Sequence, residues 1–216
     1  MSESAHGHPS SIDYGSYLRL PELLELQTLQ SSPEHPDELL FIVVHQASEL
    51  WFKALRHEMD TMITALEEFD TMRALLAVQR VNVLTEIIAQ QLTALDTLPP
   101  QRFAQFRGYL GSSSGSQSAQ FRAIEATAGL RDPHFLAAIT EHGEPPAVVK
   151  EALARPVLQS LVLALIEHAQ MDLAELYMRP GPTPMFLLVE GLLEFEQRFA
   201  RWRFLHVQLV ERIIGP

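Results

Sequence analysis

Apolar positions recur along most of this chain with a helical rhythm. Leu40, Phe41, Val44, Trp51, Leu55, Met59 and Met62 fall at three- and four-residue steps, which predicts a long helix from an Asp37 N-cap to about Asp70. A second long helix is expected from about Thr71 to Leu98, ended by Pro99-Pro100, and a third from about Met185 to Ile214. Near the start, Ile12 to Gln30 reads as a short helix, with Pro21 near its beginning and Leu20, Leu23, Leu24 and Leu26 on one side. Ser31 to Pro36 is loop, and the Gly/Ser-rich stretch Gly108 to Ser118 is another. A helix resumes over Ala119–Ala128, two or three shorter ones fill Pro133–Met178 with a break at Gly143 to Pro146, and Arg179 to Pro184 is a stiff linker. No stretch alternates with period two, and nothing repeats. The expected architecture is all-α: a flexible tail over residues 1–12, then a single domain of long antiparallel helices over 13–216.

Composition narrows the function classes. At 216 residues and 47% hydrophobic content the chain can bury one sizeable core. A net charge of −11 repels nucleic-acid phosphates, and the densest basic cluster, Arg198, Arg201 and Arg203, has Glu194 and Glu196 beside it. Apolar runs such as Leu39 to Val44 are too short to span a bilayer, and the polar N-terminus lacks an apolar signal core, so a cytoplasmic protein with neither a nucleic-acid nor a membrane partner is expected. With no cysteine, disulfides, thiolate catalysis, iron–sulfur clusters and thiolate-ligated haem are excluded.

Three positions carry candidate chemistry. His45 shares a helix face with Phe41, Ser48, Glu49 and Phe52. A histidine between two phenylalanines can hydrogen-bond a small aromatic ligand, or it can be a partly buried residue satisfied by a neighbouring carbonyl. His206 stands among Trp202, Phe199, Val210 and Ile213. A neutral imidazole in such surroundings suits an axial haem ligand; an ordinary core histidine is the alternative. Arg107 opens the Gly/Ser loop, where its guanidinium could fork onto a carboxylate or form a surface salt bridge. A dinuclear carboxylate centre would need Glu-x-x-His pairs, and the chain has none. Gly111 and Gly115 do not make a phosphate-binding loop, because no Lys follows and no strand precedes.

Four blocks, in order, carry a family resemblance: YGSYLRLPELL from Tyr14, DELLFIVVHQASELWFKALRHEM from Asp37, FRGYLGSSSGSQSAQFRAIE from Phe106 and FEQRFARWRFLHVQLVERIIG from Phe195. Together they span nearly the whole chain, and the chain resembles the tryptophan 2,3-dioxygenases. The resemblance implies an all-helical enzyme with haem b that opens the indole ring of L-tryptophan with O₂, the iron activating the oxygen. Matched position by position, His206 is the proximal iron ligand and His45 the distal histidine that hydrogen-bonds the indole N–H. Phe41 becomes a wall of the indole pocket, and Arg107 the partner of the substrate carboxylate. Ser114 and Gly115 match the loop over haem and substrate, while Tyr14, Tyr17 and Leu18 match a segment that reaches into a neighbouring subunit's site, which implies a homotetramer.

Three features depart from the family pattern. The sequence ends at Pro216, where the resemblance implies a further basic Gly/Thr/Ser-rich loop over the substrate's amino-acid end, so a short form lacking that loop is expected. Ser116 replaces an aromatic residue. Phe103 stands where, by the resemblance, a Tyr hydroxyl often helps hold the carboxylate, and it is still expected among the substrate-binding residues. All three bear on capture of the amino-acid end and none on the histidines. The function expected first is therefore tryptophan dioxygenation, then mono- or peroxygenation of another indole or aromatic compound, then haem binding without turnover.

Overall fold

The computed structural model describes residues 12–113, 115–141 and 143–215, and only the backbone of Ser116. The expected tail thus lies outside the described residues except for Ile12, and so does Ser114. Among the described residues there are eleven α-helices and no strand: α1 Tyr14–Leu18, α2 Leu20–Leu24, α3 Glu38–Glu67, α4 Thr71–Asp96, α5 Pro100–Arg107, α6 Ala119–Thr127, α7 Pro133–Thr140, α8 Ala147–Ala154, α9 Leu158–His168, α10 Leu173–Met178 and α11 Pro184–Ile214. Two 3₁₀ turns, Gly108–Leu110 and Gly115–Gln117, interrupt the Gly/Ser loop.

The three long helices form the frame. α3 and α4 are joined by a tight turn and run antiparallel. Phe69 takes a left-handed conformation (φ 58°) there, and the Asp70 N–H reaches back to the Ala65 carbonyl at 2.8 Å, which stops α3 at Glu67 instead of Asp70. Asp70 then caps α4, its carboxylate accepting from the Arg73 N–H at 3.0 Å. The long connection between α4 and α11 lets α11 return in the same direction as α4. Asn82 bonds the Gly191 carbonyl, Arg198 reaches Glu86 and Arg212 reaches Asp96, so the two sequences climb together. Gly191 is required at this seam, because a β-carbon there would sit 2.8 Å from Cγ1 of Val78. The core lies between the three helices, with Leu55, Met59, Met62, Ile63, Leu66, Val78, Val81, Leu188 and Phe195 nearly or wholly buried.

Several local expectations are corrected. The single helix over Ile12–Gln30 is two one-turn helices, because Pro21 lacks an N–H and its ring would clash with the Tyr17 carbonyl in a continuous helix; Arg19 breaks the chain with φ 52°. Asp37 holds the N-cap position of α3, but its side chain makes no capping hydrogen bond. Its carboxylate is taken by Arg102 of α5, which donates to Oδ1 at 2.9 Å. Pro99-Pro100 does more than end α4, since Pro100 occupies the first turn of α5. The Pro133–Met178 region holds four helices, and α8 packs on α6 through Ala123, Ala126, Val149 and Ala152.

Candidate functional site

α3 and α11 run antiparallel, which brings the first turns of α3 beside the last turns of α11. Phe41 shares an apolar cluster with Ile213, and Phe52 meets Trp202 edge to face at 6.0 Å. His45 and His206 lie between those contacts, near enough for His45 to help lower the pKa of His206. α5 closes the end of this space. Phe103 and Phe106 are buried there, with ring centroids 5.4 and 5.8 Å from Phe41.

Nδ1 of His45 is 2.7 Å from the backbone carbonyl of Phe41, one helical turn back. A carbonyl only accepts, so Nδ1 carries the proton and Nε2 is left as an acceptor. Burial pushes the His45 pKa below its ordinary value, against the opposing pull of the Phe41 carbonyl and Glu49, and keeps the ring neutral. The Phe41 ring lies 4.2 Å from the imidazole. Next to His45, α3 is braced by amides: Gln91 donates to Ser48 Oγ at 2.7 Å, and Gln120 of α6 donates to the Glu49 carboxylate at 2.9 Å. The carbonyl-satisfied reading of His45 thus holds for Nδ1, while Nε2 has no partner among the described residues.

His206 is half-buried on α11. Its pKa is lowered by burial, then by the charges of His45 and Arg122. Neither ring nitrogen has a hydrogen-bond partner among the described residues. Gly115 from the loop lies against it, and a β-carbon there would be 3.8 Å from His206 Nε2. Trp202 stacks on the imidazole at 5.1 Å with planes 9° apart. Its indole N–H is buried with no partner among the described residues. Beside these rings, Glu125 is buried (1% exposed) and paired with Arg122 of its own helix at 2.6 Å and Arg203 of α11 at 3.4 Å. The cluster Arg198, Arg201 and Arg203 is thereby paired with Glu86, Glu194 and Glu125.

Arg107, the last residue of α5, is exposed and pairs with no carboxylate among the described residues, so the surface salt bridge is absent there. Tyr14 and Tyr17, each 75% exposed, and Leu18, 41% exposed, have their side chains open to solvent in the single chain. Sequence reasoning named Trp202 only as a neighbour and missed Arg122, Glu125 and Gln120. Their signal was their place in the block from Phe106, where charged residues punctuate an apolar helix.

The sequence model of the family described as tryptophan 2,3-dioxygenase matches residues 2–155, a span that includes His45, Arg107 and Gly115. Curated relatives extend the match beyond residue 155. A tryptophan 2,3-dioxygenase from Herpetosiphon aurantiacus is 39% identical over 95% of this chain and 86% of its own length. The chain belongs to the tryptophan 2,3-dioxygenase family. Tryptophan 2,3-dioxygenases from a Nocardioides species and from Kineococcus radiotolerans are 38% and 37% identical, over 95% and 94% of the chain. Family membership agrees with the all-α fold, and no helix among the described residues is long and apolar enough to cross a membrane.

Proposed function

We propose that the chain is a haem-dependent dioxygenase that opens the indole C2=C3 bond of L-tryptophan with O₂ to give N-formylkynurenine. The observation that carries this reading is His45: a neutral imidazole, its Nδ1–H fixed on Phe41, offers Nε2 as an acceptor beside a phenyl ring, the complement of an indole N–H.

The residues present fit a haem. His206 has Nε2 facing a glycine, the Trp202 N–H is a buried donor with no acceptor among the described residues, and the guanidinium groups of Arg122 and Arg203 lie together on the Glu125 carboxylate. His206 would ligate the iron, and Trp202, Arg122 and Arg203 suit the macrocycle's carboxylates. When bound, the haem supplies the activation of O₂. The chain's own residues do the rest. Phe41 packs on the indole and His45 orients it through the N–H, so the carbons to be cleaved are held in near-attack geometry. Arg107 receives the carboxylate as a charge-assisted pair. Phe103, buried against Phe41 and Phe106, has no hydroxyl to share that task.

Exposed Ile12, Tyr14, Tyr17 and Leu18 favour an arm that is covered in a homotetramer, closing a neighbour's pocket. A cytoplasmic location is part of the same proposal. A second reading, oxygenation of another indole, is favoured by Phe103, which brings no hydroxyl to the amino-acid end. The test is the visible spectrum of reduced, haem-loaded protein under CO, with and without L-tryptophan. A histidine-ligated Soret band that shifts with L-tryptophan is expected; a band indifferent to it but responsive to indoles without the amino-acid end supports the second reading.

A further inference from the structure

The two histidines of the site are held by different forces. His45 is fixed by a hydrogen bond, as histidines that must present one particular nitrogen usually are. Metal-ligating histidines almost always use the same device, donating the second ring N–H to a carboxylate, carbonyl or water, which sets the ring plane and makes the ligand more basic. His206 has no such partner among the described residues, and the torsion that swings an imidazole has a broad energy profile. Instead its ring lies within 9° of the plane of Trp202, at 5.1 Å. Trp202 is itself immobilised. It is 6% exposed and packed by Phe121 at 4.5 Å, Phe52 at 6.0 Å and Phe199 at 6.5 Å.

We propose that Trp202 is the positioning residue for His206: the face of a wedged indole, in place of a protein hydrogen bond, sets the plane of the imidazole and aims Nε2 past Gly115. This rests on His206 being the haem ligand. The aromatic wedge is assembled from α3, α6 and α11, so the ligand's orientation depends on all three helices packing together. A further consequence is a ligand less basic than one hydrogen-bonded to a carboxylate, and so a weaker iron–histidine bond.

Two measurements test it. In the apoprotein, the carbon-bound ring protons of His206 should be shifted upfield by the Trp202 ring current in the NMR spectrum of the unaltered chain. Unshifted protons there overturn the proposal without any variant having to fold. In the reduced haem-loaded protein, Trp202→Met should broaden the iron–histidine stretching band and speed haem release by about 10- to 100-fold, the range typical when the support of a ligand is lost. Trp202→Phe, which retains a ring, should lie closer to the unaltered protein. A folded Trp202→Met protein with an unchanged band and release rate overturns the inference alone. An iron–histidine band that survives in His206→Ala overturns the reading of His206 on which it rests.

Discussion

His45 donates its Nδ1–H to the Phe41 carbonyl at 2.7 Å, so the residue that walls the proposed indole site also sets the tautomer of the histidine that reads the indole N–H. Removing the acceptor should cost the worth of one hydrogen bond to a positioned group, about 1–3 kcal/mol. His45→Ala is therefore expected to lower kcat/KM for L-tryptophan by about 10- to 100-fold without abolishing turnover. With 1-methyl-L-tryptophan, which has no N–H to offer, the variant and the unaltered enzyme should differ far less. An equal loss on both substrates would show that His45 acts by some other means.

Arg107 stands exposed and unpaired with any carboxylate among the described residues, ready for a charge-assisted pair. Arg107→Ala should raise KM for L-tryptophan by about 10- to 100-fold, the loss of a charged hydrogen bond. Turnover or binding of tryptamine, which lacks the carboxylate, should be unchanged. Steady-state kinetics on the two compounds separates this role from a general loss of structure.

Glu38 is fully buried at the first turn of α3, and accepts from the Gln30 N–H at 2.7 Å, the Ser31 N–H at 3.0 Å and the Ser31 hydroxyl. It ties the segment leading from the N-terminal arm to the helix that carries Phe41 and His45. Burial alone would raise its pKa, but the hydrogen bonds from Ser31 and Gln30 outweigh it and hold the carboxyl below its ordinary 4.5. Its stabilisation is present above pH 4.5 and is lost as pH falls through the lower folded value. Glu38→Ala should lower stability in urea titrations at neutral pH by about 2–3 kcal/mol.

At the seam of α4 and α11, Gly191→Ala would place a methyl 2.8 Å from Val78 Cγ1. Overpacking of this kind costs about 1–3 kcal/mol. Urea titration should show that loss, and Val78→Ala introduced with it should recover part of it.

Both site histidines have pKa values below the ordinary 6.5 when folded, chiefly through burial. Above that pH both are neutral whether or not the chain is folded. As pH falls below 6.5, the unfolded chain takes up protons that the folded chain refuses, so the stability of the apoprotein should decline until the folded pKa values are reached. His45→Gln, which cannot titrate, should flatten part of that slope in urea titrations at a series of pH values; an unchanged slope would contradict the assignment.

The long helices were legible because each buries a wide face, and the 3.6-residue period survives over about seven turns or more. Their ends were less so. Asp37 looked like a cap because its residue type favours one, but the chain folds Arg102 against it, a partner 65 residues away that no local pattern reveals. The break at Arg19 was readable in principle from Pro21. His45, Arg107 and His206 could be singled out as polar residues at apolar or Gly-rich places. The partners that give them meaning, Phe103, Trp202 and the Arg122–Glu125–Arg203 group, are brought in by α5, α6 and α11 and depend on how those helices pack. That His206, unlike His45, has no hydrogen-bond partner among the described residues has no counterpart in the sequence at all.

The central claim is that this site inserts both atoms of O₂ across the indole C2=C3 bond of L-tryptophan. The most direct test is mass spectrometry of the product formed from L-tryptophan by the reduced, haem-loaded protein under ¹⁸O₂. The account predicts N-formylkynurenine carrying two labelled oxygens. A product with one labelled oxygen, or unchanged tryptophan beside a fully loaded, histidine-ligated haem, would contradict it.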